Sequence, residues 1–333
     1  MIIIRTGTKD KYEFKDLKNQ QITDKAVLEY IKNLVIPPNY NDVKIFYEKT
    51  SIPKILYQGY DSKGRLQRIY SEVWNKASSR KKLCQLLNFA EQIPHISRSV
   101  KEQMKDEHQS RNKMIALIIR LVMVCYFRIG NKKYQELYGS FGAMNIQKRH
   151  VKLKKNSENR DYFYVEFSGK KGVLNTCNVY DVELVREIKK ILKIRKDNDF
   201  VFLWNRKGIL VPVRAIDINI WLQKFDKVIT SKDFRTYDAN IFLIIFLRMQ
   251  RLPSKMLQLD RKKMIVRAMK EISGKIHNTP AILKKNYTDS GIIDMYISDP
   301  YKFEKFFIVD QETKSPKQSF IEYLRNYCKD FNN

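Results

Sequence analysis

Five short stretches of this chain carry cationic or nucleophilic side chains that could do phosphate chemistry. Asp233-Phe234-Arg235-Thr236-Tyr237 reads as the opening of a helix. An arginine there opposes the helix macrodipole. A phosphate lodged between Arg235 and free backbone N–H groups would turn that mild cost into binding. Arg128 lies near the end of a mostly apolar helical run. It serves either as a cap for the last carbonyls or as a guanidinium fork for two phosphate oxygens. Lys133 and Tyr134 follow just beyond Gly130. The segment Ser168-Gly169-Lys170-Lys171-Gly172 follows the strand-like FYVEF. Its plain reading is a basic turn, and its chemical reading is a lysine, Lys170, that protonates an alkoxide leaving group. His277-Asn278-Thr279-Pro280 closes a further helical run, and Lys284-Lys285-Asn286-Tyr287 comes next. Tyr287 is one of 19 tyrosines and nothing local singles it out, although its basic neighbours favour a phosphate nearby. The turn Gly59 to Arg65 mixes basic and aromatic residues. It is either a solvated hairpin tip or a loop that enters a groove, with Lys63 and Arg65 reaching phosphates or guanine edges.

The composition says what such residues would act on. The 333 residues carry 64 Lys plus Arg against 36 Asp plus Glu, a formal net charge of +28. With 43% hydrophobic residues the chain has enough apolar side chains for real cores, so it is not a disordered basic tail. A folded chain this basic needs an anionic partner. Nucleic acid is the expected one, since a duplex presents one negative charge per about 1.7 Å of its axis. A membrane is not expected: the purest apolar run, Ile241 to Leu247, falls far short of the roughly 20 residues a spanning helix needs. Arg5, Lys9 and Lys11 follow the initial MIII at once, so no signal-peptide core is expected. Cys84, Cys125, Cys177 and Cys328 lie far apart and are expected to be reduced packing residues. His95, His108, His150 and His277 are equally scattered, and no Cys/His spacing suits zinc. No nucleotide-binding glycine motif is present. The expectation is therefore chemistry with no metal and no cofactor.

Two kinds of segment would position these residues. Up to about residue 75 the pattern is strands and turns: Met1 to Arg5, Val43 to Tyr47, Lys54 to Gln58 and Leu66 to Tyr70, with one helix at Asp24 to Leu34. Helical spacing then takes over at Arg80 to Glu91, Ser97 to Glu107 and Asn112 to Ile129. A strand-rich insert follows, at Val151 to Leu153, Tyr162 to Phe167, Cys177 to Tyr180 and Phe200 to Trp204. Helices are predicted again at Asp181 to Ile194, Val213 to Phe225, Thr236 to Gln250, Lys262 to Ile276 and Lys317 to Cys328. The predicted class is α+β: a small, mostly β domain over 1–77, then a larger, mainly helical domain over 78–333 with a small antiparallel sheet.

These pieces together resemble the type IB DNA topoisomerases, specifically the small poxvirus-type enzymes. The segments that carry the resemblance are FRIGNKKY (127–134), FSGKKG (167–172), KDFRTY (232–237) and HNTPAILKKNY (277–287), preceded by IPPNYNDVKIFY and YDSKGRLQRIY in the first domain. Each is short, but together they stand in the family's order at near-family spacing. The resemblance implies Tyr287 as nucleophile, with Arg128, Lys170 and Arg235 as catalytic partners. The poxvirus enzymes have His directly before TP, where this chain has Asn278, with His277 one residue earlier. Asn278 is assigned the fifth catalytic position, with His277 as the alternative. Arg68 stands where poxvirus enzymes have a tyrosine, while Tyr70 is retained. Lys63, Arg65, Tyr70, Lys133 and Tyr134 are the expected DNA contacts.

The implied reaction is relaxation of supercoiled double-stranded DNA through a 3′-phosphotyrosyl link, with resealing that needs no ATP. A monomer clamping the duplex is expected, in a virion or host cytoplasm if viral and otherwise cytoplasmic. Two other readings compete. Tyrosine recombinases share the Arg/Lys/Arg/Tyr logic but usually carry HxxR at the second arginine, and that window here is Lys232-Asp233-Phe234-Arg235. A non-enzymatic DNA-packaging protein would need only the charge.

Overall fold

The computed structural model describes residues 1–8, 11–308 and 314–329. The chain divides into two compact units, Met1–Lys82 and Leu83–Asn333. It is an α+β protein: an antiparallel sheet comes first, and a mainly helical region with small sheets follows.

In the first unit the strands are β1 (Ile2–Thr8), β2 (Lys11–Asp16), β3 (Asn41–Phe46), β4 (Ile55–Tyr60) and β5 (Leu66–Tyr70), and helix α1 (Lys25–Asn33) lies between β2 and β3. The strands form one five-stranded sheet in the order β2-β1-β3-β4-β5. Asp24 caps α1 by accepting from the N–H groups of Ala26 and Val27. Val27 and Ile31, one turn apart, then meet Ile3, Val43, Ile45 and Tyr57 in a core of their own.

Helix α2 (Glu72–Met104) continues through the region where two separate helices were expected, with Pro94 inside it. Its buried residues Leu86, Phe89, Ile96 and Val100 keep helical spacing across the proline and join one continuous core. Helix α3 (Arg111–Cys125), capped by Ser110, is buried on nearly every side. Lys113 on it is buried and pairs with buried Glu187 at 2.7 Å. Next come α4 (Lys132–Tyr138) and a three-stranded antiparallel sheet in the order β6-β7-β8, built from β6 (Val151–Lys155), β7 (Asp161–Ser168) and β8 (Leu174–Val179). Helix α5 (Val182–Lys193) is capped by Asp181, whose carboxylate also takes Arg120 of α3. The hairpin β9 (Leu203–Arg206) and β10 (Ile209–Pro212) leads to α6 (Ala215–Leu222), α7 (Ser231–Arg248) and α8 (Gln258–Lys275). The chain then runs through the short helices α9 (Pro280–Asn286), α10 (Ser290–Ser298) and α11 (Pro300–Phe307) to α12 (Pro316–Lys329).

The cysteines depart from expectation. Instead of standing reduced and alone, they form two disulfides, Cys84–Cys328 and Cys125–Cys177. Their sequence separations of 244 and 52 residues leave no local signature of pairing. Only the fold brings their Cα atoms to 5.8 and 5.7 Å, within disulfide reach.

Candidate active site

The expected helix Asn112 to Ile129 ends early. Tyr126 adopts a left-handed conformation (φ 57°) and its N–H closes on Val122 O at 2.8 Å, which terminates α3 at Cys125. Arg128 is therefore not a helix-capping residue. It lies in an extended segment that pairs with residues 142–144: Ala143 N donates to Arg128 O at 2.8 Å and Met144 N to Ile129 O at 2.9 Å. This approach requires glycine at position 142, because a Cβ there would stand 2.5 Å from Gly130 Cα and 2.6 Å from Arg128 O. Phe127 anchors the segment, its ring 4.8 Å from Phe167 and 5.0 Å from His277. Arg128 then donates to Asn278 Oδ1 and, at 3.3 Å, to His277 O.

Arg235 is also placed differently from the expectation. Helix α7 begins at Ser231, where the Thr230 N–H and hydroxyl donate to the Asp233 carboxylate. Arg235 is thus a turn inside the helix and does not share a phosphate pocket with free N-terminal N–H groups. Its guanidinium is 2% exposed and donates to Tyr126 O and, at 2.7 Å, to Ile276 O. Burial pushes its pKa down to about 10, which leaves it a cation at neutral pH.

His277 and Asn278 divide clearly. His277 takes a left-handed φ of 53° and turns its Nε2 to Cys125 O at 3.1 Å. A ring nitrogen facing a carbonyl must carry the proton, so Nε2 is the donor. Burial, aided by the charges of Arg235 and Arg128, lowers the pKa to about 4 against the pull of the Cys125 carbonyl, so the ring is neutral. Asn278 is buried too, and Arg128 fixes its amide orientation, because a guanidinium requires the oxygen and not the nitrogen. That leaves Asn278 Nδ2 and Arg235 Nε as buried donors with no hydrogen-bond partner among the described residues.

Tyr287 caps the C-terminal end of α9 and is 9% exposed. The Arg235 guanidinium lies 5.2 Å and Lys232 Nζ 5.5 Å from its ring centroid. Burial raises the phenol pKa, but the charges of Arg235 and Arg128, with hydrogen bonds from both, outweigh it and hold the pKa below the usual tyrosine range. Asn240 of α7 holds the backbone here. Its Nδ2 donates to Tyr287 O at 2.9 Å and its Oδ1 accepts from Asp289 N at 2.8 Å. Neither Lys232 nor Asn240 was singled out from sequence. The signal for Asn240 was a polar residue inside the apolar helical run Ala239 to Leu247.

Lys170 comes from a different element. It is exposed on the turn between β7 and β8, where Lys171 (φ 62°) and Gly172 (φ 73°) are left-handed. It lines a cavity of about 170 Å³ together with Arg128, Gly130, Asn131, Tyr134, Ser140 and Phe141. Its Nζ is 5.9 Å from the Tyr134 ring centroid. Lys133 and Tyr134 are exposed on α4. Lys63 and Arg65 lie on the β4–β5 turn of the first unit, Lys63 exposed and Arg65 paired with Asp61 at 2.6 Å. Tyr70 is half-buried at the end of β5. Among the described residues no cluster of His, Cys, Asp or Glu could hold a metal ion, and no helix is long and apolar enough to cross a membrane.

The fold and the site define a class: an α+β protein in which two buried-to-half-buried guanidiniums converge on a phenol of lowered pKa. The family described as "Eukaryotic DNA topoisomerase I, catalytic core" matches residues 71–302. The chain belongs to that family and is a type IB DNA topoisomerase, an isomerase that acts on DNA. It is 26% identical to the DNA topoisomerase 1B of Acanthamoeba polyphaga mimivirus over 98% of this chain and 94% of the relative. It is 25% identical to the DNA topoisomerase 1B of Vaccinia virus (strain Copenhagen) over 82% of each chain. Identity is likewise 25% to the DNA topoisomerase 1 of Rabbit fibroma virus, over 86% of this chain and 87% of the relative.

Proposed function

We propose that Tyr287 is the nucleophile and that Arg128, Arg235 and Asn278 bind the phosphate it attacks. One observation carries this reading. Four groups from three separate parts of the chain converge at one point, and two of them, Asn278 and Arg235, keep a buried donor with no acceptor among the described residues. Buried polar groups are rarely left unpaired, and non-bridging phosphoryl oxygens would satisfy both.

In the proposed reaction the Tyr287 phenolate attacks phosphorus, helped by the arginines that already lower its pKa. Negative charge develops on the phosphoryl oxygens, and Arg128, Arg235 and Asn278 Nδ2 stabilise it. The bond to the 5′-oxygen breaks, and Lys170 donates a proton to that oxygen, since an alkoxide leaves poorly. The strand is held as a 3′-phosphotyrosine while the free 5′ end rotates. In resealing, the 5′-hydroxyl attacks the same phosphorus, Lys170 takes its proton and Tyr287 departs. The phosphodiester energy is retained in the tyrosyl ester, so no ATP is needed.

Lys63, Arg65 and Tyr70 on the first unit and Lys133 and Tyr134 on the second are proposed DNA contacts. Phosphate neutralisation by such residues predicts steep salt dependence. The same reading has the chain acting as a monomer away from membranes, in a virion or host cytoplasm if it is viral and otherwise in the cytoplasm. The test is covalent trapping on supercoiled plasmid. The wild type should relax the plasmid and leave a 3′-phosphotyrosyl adduct mapping to Tyr287. Tyr287→Phe should do neither, and relaxation by that variant at wild-type rate would refute the assignment.

A further inference from the structure

The Lys170 hairpin has an attachment that the reaction so far has not used. Strand β8 is an edge strand, paired only with β7 in the small sheet. Cys177 on β8 lies opposite Val165 and is disulfide-bonded to Cys125, the last residue of α3. The C-terminal carbonyls of α3 are also the foundation of the phosphate-binding cluster. Cys125 O receives His277 Nε2, and the next carbonyl, Tyr126 O, receives Arg235. One end of one helix thus holds Arg235 and His277 by hydrogen bonds and the β7–β8 hairpin by a covalent bond.

The hairpin beyond the cross-link is short and regular. Cys177–Val165, Thr176–Glu166, Asn175–Phe167 and Leu174–Ser168 pair in unbroken register up to the turn that carries Lys170. At about 3.3 Å per residue this is a lever of about 10 Å from the cross-link to the turn. The turn is itself stiffened: Asn175 is buried and donates to Val173 O, and Gly169 N donates to Val173 O. Phe141 N donates to Ser168 O at 2.9 Å and Phe167 packs on Phe127, and to these non-covalent ties the disulfide adds a covalent one between the hairpin's base and α3.

We propose that the Cys125–Cys177 disulfide is a positioning cross-link for the leaving-group step, holding Lys170 in register with the phosphate-binding cluster. This rests on the reading of Lys170 as the general acid. In this proposal the sulfurs take no part in the reaction itself, and the pair acts by positioning Lys170. Reduction by a dithiol adds two electrons and two protons, breaks the S–S bond into two thiols and closes the dithiol into its own disulfide.

The test is single-turnover cleavage of two DNA substrates, one with an ordinary 5′-oxygen leaving group and one with a bridging sulfur in its place. A thiolate leaves without protonation, so the sulfur substrate does not need the acid. Lys170→Ala is the reference: it should slow the oxygen substrate strongly and spare the sulfur one. If it slows both alike, Lys170 is not the acid and the proposal falls with that reading. Cys177→Ser, and wild type reduced by a dithiol, should repeat the Lys170→Ala pattern in weaker form: at least a tenfold loss on oxygen and less than a twofold change on sulfur. Cys328→Ser breaks the other disulfide, which joins α2 to α12, and should change neither rate. If Cys177→Ser cleaves both substrates as wild type does, or slows both equally, the cross-link has no positioning role. Free thiols at Cys125 and Cys177 in unreduced protein, read by alkylation and mass, would also overturn it.

Discussion

Exchanging the roles of the adjacent residues His277 and Asn278 offers the sharpest test of the site. Asn278 presents Nδ2 as an unpartnered buried donor while Arg128 holds its Oδ1. Asn278→Ala removes a hydrogen bond that would strengthen as charge develops on the phosphate. Loss of one such donor costs about 3–4 kcal/mol, or roughly 10²–10³ in cleavage rate. His277 is turned away, donating to Cys125 O at 3.1 Å, and is neutral with a pKa near 4. Its backbone is left-handed at φ 53°, a conformation asparagine tolerates well. His277→Asn therefore removes a structural hydrogen bond and a ring contact with Phe127. The cost is about 1–2 kcal/mol of stability, with a cleavage rate within about tenfold of wild type (0–1.4 kcal/mol). Pre-steady-state cleavage of a strand that cannot religate gives the rates, and urea unfolding gives the stabilities. If His277→Asn loses more than 10²-fold in rate while Asn278→Ala stays near wild type, the assignment of donors is wrong.

Three further outcomes follow from the same geometry. Asn240→Ala removes both hydrogen bonds to the backbone around Tyr287; it should cost about 1–3 kcal/mol in stability and slow cleavage, and unchanged values of both would show that the Tyr287 segment is held otherwise. Gly142→Ala sets a Cβ 2.5 Å from backbone atoms that cannot swing aside, so it should destabilise by more than about 2 kcal/mol, and a wild-type melting temperature would contradict the close approach. Lowering the pH tests His277: an unfolded imidazole titrates near 6.5, whereas the folded one titrates near 4. The unfolded chain thus binds the proton first, so this residue's contribution to stability is complete above about 6.5 and is lost as pH falls toward about 4. The His277→Asn variant should lose less urea resistance than wild type over that interval, and parallel curves would remove the argument.

The sequence was legible at several points where the controlling signal was local. Asp24, Ser110 and Asp181 each begin a helix by capping N–H groups two or three residues on, and such caps are readable from neighbouring residues. The run after Ser110 reads as a buried helix because its apolar residues cover nearly the whole circumference. The end of that helix was not legible. Tyr126 turns left-handed although tyrosine has no special preference for that conformation, and its carbonyl is held by Arg235, 109 residues away. Helix α7 starts at Ser231, ahead of the expected Thr236, because Thr230 and Asp233 cap it.

By itself the sequence determined the anionic partner, through its net charge of +28, and the order of the motifs that mark the family. It also marked the segments that carry the proposed catalytic side chains. The tertiary structure decided which side chain of His277 and Asn278 meets Arg128, how the four cysteines pair and that Asn240 holds the Tyr287 backbone. The physical reason is range. A cap or an amphipathic stripe is settled within a few residues, whereas Arg128 meets Asn278 across 150 positions. Asn278 Nδ2 and Arg235 Nε stay open among the described residues, while the terminal nitrogens of Arg128 and Arg235 and His277 Nε2 bond to partners far along the chain.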